Sequence, residues 1–234
     1  MAISSSRTSW PRAIVFDLDG TLVDSAPDIK RAVDAAFAPL GVPPFDLLAV
    51  KAMIGGGARA AIGRAAAQIG LPLSDAETDA ALARFYPVYA EASSAGRGLY
   101  PGAVELLSNL SERGIPLALC TNKAEEITAI ALDALGIRRY FRNIVGARED
   151  LPKKPDPAAL RAAFEPLDAP SPADVIMIGD SAADIGAAKA AGCRSIAIAH
   201  GYARVPVAKL GADTTVENLS EVPAAIERLV RANS

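Results

Sequence analysis

The stretch AIVFDLDGT, residues 13–21, decides the fold. Its first four residues are apolar and predict a buried β-strand, and the alternation of side chains along a strand places Asp17 and Asp19 on the same side. Two carboxylates at a strand end repel each other and lose hydration, which a purely structural role would not justify. A nucleophile paired with an acid/base and neutralised by a metal explains both residues. The alternative is an ordinary Asp-Gly turn.

Short apolar segments alternate with helical segments after residue 98. The predicted strands are 116–120, 143–146, 175–179, 195–199 and 213–216, and the predicted helices are 103–113, 125–135, 157–164, 182–191 and 222–232. This alternation predicts an α/β fold, a Rossmann-like parallel sheet covered by helices on both faces. The strand at 13–16 completes that sheet.

The region between the first strand and residue 97 has a different character. It is predicted to form helices at 28–38, 46–53, 58–69 and 75–92, separated by Pro and Gly. A helical insertion there would lie above the carboxyl edge of the sheet as a lid, with hinges near Ser25 and residues 96–98. The alternative is a subdomain that only adds stability. The predicted domains are a disordered leader (1–11), an α/β core (12–24 plus 97–234) and an all-helical cap (25–96).

Composition excludes several classes of function. The 234 residues are 51% hydrophobic and 22% charged, as in soluble globular proteins, and the net charge of −3 gives no basic surface for nucleic acid. No apolar stretch approaches the roughly 20 residues that span a bilayer. The N-terminus lacks the apolar core of a secretion signal, and Cys120 and Cys193 are predicted to be buried, reduced thiols. These features favour the cytoplasm.

A second polar cluster, Thr121-Asn122-Lys123, follows the predicted strand 116–120. A hydroxyl and neighbouring backbone N–H groups at a strand end suit phosphate oxygens. The alternative is a helix N-cap, for which Thr121 or Asn122 would serve equally well.

A third cluster surrounds Lys154, which lies between Lys153 and Pro155. A lysine in a rigid, proline-flanked turn can hold its ammonium in a crevice, where it would offset the charge of Asp17 and of a phosphate. Pro157 suits the first turn of the next helix, with Asp156 as its cap, which helps to fix the turn. The alternative is a solvated basic turn.

A fourth cluster closes the apolar strand 175–179. Asp180 falls at its carboxyl end, and Asp184 lies one helical turn further on, so that both can face one point. Oxygen ligands of this kind suit Mg²⁺. Alternatively, Asp180 caps the helix that starts at Ala182.

Together these clusters resemble the four signature motifs of the haloacid dehalogenase superfamily. The matching segments are DLDGTLVDS (17–25), TNK (121–123), Lys154-Pro155 and GDSAADIGAA (179–188). The likeness extends over nearly the whole chain from Arg12, and is greatest to the phosphatases that act on phosphoglycolate. Relatives that cleave carbon–halogen bonds lack an Asp at the position of Asp19.

The resemblance implies a role for each motif. Asp17 would attack phosphorus and form an aspartyl-phosphate, and Asp19 would act as general acid and then as general base. The implied ligands of Mg²⁺ are Asp17, the main-chain carbonyl of Asp19, Asp180 and, in support, Asp184. The implied phosphoryl-binding residues are Thr121, Asn122 and Lys154.

Substrate choice is expected to lie in the cap. Gly55 and Gly56 permit close approach of the backbone, and Arg59 could form a fork to the carboxylate of 2-phosphoglycolate, with Lys51 as the second candidate. The alternative is a flexible break between helices and a solvated arginine. Phe85 and its neighbours 86 and 89 are interpreted as cap core, and the lone histidine at 200 as structural.

Two other functions remain open from the sequence. A sugar-phosphate mutase would use the same residues, and a phospho-accepting receiver module also combines acidic strand ends with a Thr and a Lys, although it needs no lid. The expected partner is a small phosphorylated metabolite, without nucleic acid or membrane, and the protein is expected to be a monomer or homodimer.

Overall fold

Six parallel strands form one sheet in the computed structural model, which describes residues 11–167 and 171–232. The strands are β1 (Ala13–Phe16), β2 (Leu117–Ala124), β3 (Asn143–Ala147), β4 (Val175–Gly179), β5 (Arg194–Ile198) and β6 (Thr214–Val216). Their order is β3-β2-β1-β4-β5-β6. This is the doubly wound order of Rossmann-like folds, in which ligands bind outside the carboxyl ends of the strands where the order reverses, here between β1 and β4.

Nine α-helices accompany the strands in the described part of the chain. They are α1 (Ala26–Phe37), α2 (Leu47–Met53), α3 (Ala58–Gln68), α4 (Asp75–Ser93), α5 (Ala103–Glu112), α6 (Glu125–Ala134), α7 (Pro157–Phe164), α8 (Ala182–Ala191) and α9 (Val222–Ala232). Every predicted strand and helix is present. The largest difference is in β2, which continues four residues beyond the predicted end. None of the described helices is long and apolar enough to cross a membrane.

Both faces of the sheet are covered by helices, and the side chains of β1 alternate between the two hydrophobic clusters that result. Ile14 and Phe16 pack in one cluster with α5 and α9, whereas Ala13 and Val15 pack in the other with α7 and α8. All four side chains are completely buried. The core therefore fixes the direction in which β1 leaves the sheet, and with it the position of Asp17.

Helices α1–α4 form the predicted all-helical cap and enclose a hydrophobic cluster of their own, which includes Phe37, Val50, Ile62 and Phe85. Two residues of the α/β core, Ile127 and Tyr202, join that cluster, so the cap packs directly on the core. The cap boundaries at residues 25 and 96 stay a prediction. The predicted leader lies outside the described residues, apart from Pro11.

The two connections between core and cap run side by side. The Asp24 N–H donates to the Gly98 carbonyl (2.7 Å), and the Tyr100 N–H donates to the Leu22 carbonyl (2.9 Å). Gly98 has φ +89°, and a methyl group there would lie 2.7 Å from the Asp24 carbonyl oxygen. Glycine is therefore required for this close approach, which holds the base of the cap together.

Candidate active site

A cavity lies between the carboxyl edge of the sheet and the cap. Its floor comes from strand ends and core loops, with Asp17, Asp19, Thr121, Asn122, Lys123, Lys154 and Asp180. Its roof comes from the cap, with Ile29, Ile54, the glycines at 55–57, Ala58, Ala61, Phe85, Tyr86 and Tyr89. The floor is charged and the roof is largely apolar, an arrangement that excludes water from a polar reaction centre.

Lys154 lies at the centre of the floor. Its ammonium is 3.1 Å from Asp17 Oδ1, donates to Asp184 Oδ1 (2.6 Å) and also donates to the Cys120 carbonyl. The predicted ion pair with Asp17 is thus present. Burial alone would lower the pKa of Lys154, but the carboxylates of Asp17 and Asp184 outweigh it and raise the pKa above its usual value. Lys154 is a permanent cation in this setting and not a proton donor.

Asp17 sits one residue beyond β1, and its contacts use one oxygen. Oδ1 accepts the Leu18 N–H (2.7 Å) and pairs with Lys154 (3.1 Å), and Asp17 lines the cavity. Burial raises the pKa of Asp17 to about 7, with Lys154 lowering it and Asp184 and Asp19 raising it further. The carboxylate is therefore crowded by other negative charges.

Asp180 is held by groups from two segments, residues 20–21 and residues 201–202. Its Oδ2 accepts the Tyr202 N–H (2.6 Å), and its Oδ1 accepts the Thr21 hydroxyl (3.3 Å). Gly20 and Gly201 pack so closely on it that a methyl group at either position would overlap the carboxylate. Burial, followed by repulsion from Asp184 and Asp17, raises the pKa of Asp180. The alternative role as a helix cap is wrong, because Ser181 is the N-cap of α8.

Asp184 has a second role that the sequence argument did not assign. Its Oδ2 accepts both the Ser181 N–H (3.0 Å) and the Ser181 hydroxyl (2.6 Å), which completes the cap of α8. Its Oδ1 meanwhile binds Lys154. Asp184 thus ties the start of α8 to the central lysine, and a methyl group at Gly179 would overlap it.

Asn122 and Thr121 lie within β2 and not after it, and α6 begins with Ala124 as its N-cap, so the N-cap alternative is wrong. The Asn122 amide forms two hydrogen bonds with the backbone of Lys154, donating to its carbonyl (2.9 Å) and accepting its N–H (3.0 Å). Asn122 therefore positions Lys154. Thr121 accepts the Lys123 N–H (3.3 Å) and faces the cavity.

Asp19 faces a different lysine. The buried ammonium of Lys123 lies 3.4 Å from Asp19 Oδ1 and contacts the Tyr89 hydroxyl of α4. Burial lowers the pKa of Lys123, although Asp19 opposes that shift. The two acidic residues of the first motif thus have separate cationic partners, Lys154 for Asp17 and Lys123 for Asp19.

The carboxylates form a site that a divalent metal ion would fit. Asp17, Asp180 and Asp184 are buried, and one oxygen of each lies within 4.8 Å of the others. In the part of the chain that the structure describes, the ion pairs of these three carboxylates and Asp19 involve two ammonium groups, those of Lys123 and Lys154. A divalent cation would balance the remaining charge, and carboxylates whose pKa values are raised by burial and then by repulsion from one another are suited to it.

The cap candidates divide into two groups. Gly55 and Gly56 line the cavity, with φ of +105° and +80°. Arg59 does not line it: its side chain is half exposed and pairs with Asp79 and Asp75 of α4. Arg59 is the second residue of α3, and the helix turns it to the outer surface. Its assignment to a substrate carboxylate is therefore not supported.

Lys51 is also outside the cavity lining. Its ammonium lies 3.6 Å from Asp24 Oδ2 and 5.9 Å from the centre of the Tyr202 ring. Lys51 therefore contacts the connection at the base of the cap, where it helps to neutralise Asp24.

Two residues near the site had no signal in the sequence. Arg204 donates to the Ile54 carbonyl (2.9 Å), and Tyr202 connects Asp180 with the base of the cap through its N–H and its hydroxyl. Both lie in the loop after β5, and only the tertiary fold brings them to the cap.

Two smaller predictions have different outcomes. His200 is structural, as expected: its ring stacks on Tyr100 at 3.9 Å and its Nε2 lies 3.1 Å from the Thr21 carbonyl. Phe85 and Tyr89 belong to the hydrophobic cluster of the cap, as predicted. They also line the cavity together with Tyr86, so the same side chains serve both as cap core and as cavity wall.

Known proteins resemble the chain over most of its length. The model of the haloacid dehalogenase-like hydrolases matches residues 11–192. A phosphoglycolate phosphatase of Rhodospirillum rubrum is 43% identical over 206 residues, which cover 86% of this chain and 85% of that one. Phosphoglycolate phosphatase 1 of Pseudomonas aeruginosa is 42% identical over 220 residues, covering 92% and 79%.

Solved structures resemble the chain in the same way. A crystal structure of a predicted phosphoglycolate phosphatase from Haemophilus somnus superimposes with a TM-score of 0.84 at 30% identity, covering 92% of this chain and 97% of that one. The structure of CbbY from Rhodobacter sphaeroides in complex with phosphate gives a TM-score of 0.76 at 27% identity, covering 92% and 99%.

Replacing Gly201 with Ala should weaken metal binding, because the added methyl group displaces the Asp180 carboxylate. We expect Mg²⁺ affinity to fall about tenfold or more, measured from the dependence of the melting temperature on Mg²⁺ concentration. Gly63→Ala is the matched control: it lies inside α3 with nothing within 4 Å of the new methyl group. It should leave the Mg²⁺ dependence unchanged and stabilise the fold by about 0.5–1 kcal/mol. Equal Mg²⁺ responses in the two variants would contradict this account of Asp180.

Proposed function

The chain belongs to the haloacid dehalogenase-like hydrolases, and we propose that it is a magnesium-dependent phosphatase that hydrolyses a small phosphomonoester through a phosphorylated aspartate. The preferred substrate is 2-phosphoglycolate, which would yield glycolate and phosphate. The names of the relatives from Rhodospirillum rubrum and Pseudomonas aeruginosa, both above 40% identity, support this choice. We place the reaction in the cytoplasm, in keeping with two buried free thiols.

The single observation that carries the proposal is the Asp17–Lys154 pair on the floor of a covered cavity. Lys154 fixes Oδ1 of Asp17 at 3.1 Å, so Oδ2 can approach phosphorus from a constant direction. Attack forms a bond from Oδ2 to phosphorus while the ester bond breaks and its electron pair moves to the leaving oxygen. Splitting hydrolysis into two displacements lowers each barrier.

Asp19 is the acid/base in this proposal. It lines the same cavity two residues after the nucleophile, but its partner is Lys123 and not Lys154. It would give a proton to the leaving alkoxide and later take one from the water that hydrolyses the aspartyl-phosphate. The second displacement returns Asp17 to its starting state and releases phosphate.

Mg²⁺ would be held by the carboxylates of Asp17 and Asp180 and by the main-chain carbonyl of Asp19, with Asp184 behind them. When bound, it neutralises the repulsion between an anionic nucleophile and an anionic phosphate. Support comes from the buried triad and from the surplus of carboxylates over ammonium groups. One oxygen of Asp184 is paired with the Lys154 ammonium and the other completes the cap of α8, whereas the groups that donate to Asp180 are neutral, so we assign Asp184 to positioning and keep Asp180 as a ligand.

Thr121 would donate to a phosphoryl oxygen, and Lys154, whose three N–H groups point at Asp17, Asp184 and the Cys120 carbonyl, would stabilise the spreading negative charge through its own positive charge. Both are buried and line the cavity, and a hydroxyl donor and a positive charge act strongly in a site from which water is excluded. Asn122 would contribute indirectly, because its amide is used in holding the backbone of Lys154.

The carboxylate of the substrate would be bound by the main chain of the cap. The glycine run ends at Gly57, which begins α3 without a side-chain cap, so the first N–H groups of that helix remain for a ligand. Ala58 of this first turn lines the cavity opposite Lys154. Arg64 supports the run from behind by donating to the Met53 and Gly55 carbonyls (2.7 Å each). We therefore propose the backbone of residues 55–58 in place of Arg59.

Asp17→Asn should abolish turnover and leave the fold intact, because the amide cannot attack phosphorus but keeps the shape of the side chain. We expect kcat to fall by at least about 10³-fold, with a melting temperature near that of the wild type. The measurement is phosphate release from a panel of small phosphoesters, with and without Mg²⁺. Retained turnover contradicts the nucleophile assignment, and an isomeric sugar phosphate in place of free phosphate would indicate a mutase.

Gly57→Ala and Arg59→Ala separate the two accounts of substrate recognition. In Gly57→Ala the new methyl group is strained at φ +89° and lies 3.1 Å from the Asn122 carbonyl oxygen, so the start of α3 must move. We expect KM for 2-phosphoglycolate to rise about tenfold, equivalent to about 1.4 kcal/mol, and KM for p-nitrophenyl phosphate to change much less.

Arg59→Ala should leave both KM values unchanged, because its side chain pairs with Asp79 on the outer surface of the cap. A selective rise in KM for 2-phosphoglycolate in this variant, and not in Gly57→Ala, would restore Arg59 to the binding site.

A further inference from the structure

A contact between cap and core bears directly on Asp19. Lys123 of β2 is only 6% exposed, and its ammonium lies between Asp19 Oδ1 and the hydroxyl of Tyr89. Tyr89 belongs to α4 of the cap, is 5% exposed, and places its ring centre 3.8 Å from the same ammonium. The three groups form a continuous chain from the cap to the first motif of the core.

Packing alone does not explain a lysine at this position. Burying an ammonium costs several kcal/mol unless good partners replace its hydration. An apolar side chain between β2 and α4 would fill the space without that cost. The observed partners are the aromatic face and hydroxyl of Tyr89 on one side and Asp19 on the other. The charge is therefore directed at Asp19.

The orientation of Asp19 follows from this contact. Lys123 holds Oδ1, which leaves Oδ2 for a reacting group in the cavity that Asp19 lines. Without a fixed Oδ1 the carboxylate could rotate about its side-chain bonds, and a displacement of about 1 Å at a reacting group can cost about 10²-fold in rate.

We propose that Lys123 and Tyr89 are positioning residues for the acid/base carboxylate Asp19, so that protonation of the leaving oxygen requires α4 of the cap to be in place. This inference rests on the proposed function. In the step concerned, the bond from Asp17 to phosphorus forms, the ester bond breaks with its electron pair moving to the leaving oxygen, and the proton passes from Asp19 to that oxygen.

Tyr89→Phe tests the proposal with two aryl esters of similar shape. Phenyl phosphate has a basic leaving group that needs the proton, whereas p-nitrophenyl phosphate has a leaving group that departs without it. We expect Tyr89→Phe to lower kcat about tenfold for phenyl phosphate and no more than about twofold for p-nitrophenyl phosphate. KM should be nearly unchanged for both esters.

The matched control is Tyr140→Phe, which removes a hydroxyl bonded to Arg139 at the surface, outside the cavity lining. It should leave kcat unchanged for both esters.

A second test places Tyr89→Phe in an Asp19→Asn background. There the tyrosine has no acid left to position, so the double variant should be no slower with phenyl phosphate than Asp19→Asn alone.

Three results would each overturn the proposal. They are an equal loss of kcat with both esters, a change in KM alone, and a loss of kcat in the double variant that is the sum of the two single losses in free energy. Crystal structures of the wild type and Tyr89→Phe give a readout without turnover: the Lys123–Asp19 contact should be present in the first and lengthened or lost in the second, and an unchanged contact overturns the proposal. If the wild type hydrolyses no phosphoester, the proposed function fails separately, and the crystal structures still decide whether Tyr89 positions Asp19.

Discussion

Crowding of negative charge at one edge of the sheet is the constraint on which the rest of the structure depends. Asp17, Asp180 and Asp184 are buried within 4.8 Å of one another. Such a cluster is stable only because Lys154 lies inside it, 3.1 Å from Asp17 and 2.6 Å from Asp184. The fold supplies the remaining support through Asn122, which fixes the lysine backbone, and through the N-cap of α8. The negative charge that these contacts do not neutralise would be available to bind a cation.

The parts of the site that could be predicted from sequence are those set by local chemistry. The apolar run 13–16 predicts β1 with its observed bounds because nothing polar interrupts it, and the carboxyl edge of a parallel sheet then collects Asp17 and Asp180. Asp184 was placed correctly but explained incompletely, since a capping box with Ser181 is also a local pattern. The spacing of Ser181 and Asp184, three residues apart at the start of α8, carries that signal.

The parts that could not be predicted depend on which way a helix turns and on contacts between distant segments. Arg59 follows a glycine run, but its place on α3 sends it to the surface, where Asp79 lies twenty residues ahead in sequence. Tyr202 and Arg204 have no motif, because their partners, Asp24 and Ile54, are about 150 residues or more away. Periodicity and capping rules describe neighbours along the chain and carry no information on such pairs.

Tyr202 connects the carboxylate cluster of the core with the base of the cap through hydrogen bonds. Its N–H holds Asp180, while its hydroxyl donates to Asp24 (2.6 Å) and accepts the N–H of Ala26, the first residue of α1 (3.0 Å). Any rotation of the cap about the connection at Asp24 must break or carry these bonds. Displacement of the Tyr202 backbone would in turn remove a hydrogen bond that fixes one oxygen of Asp180. The position of the cap and the geometry of the carboxylate cluster are therefore coupled through Tyr202, because the same residue contacts Asp180 and the start of α1.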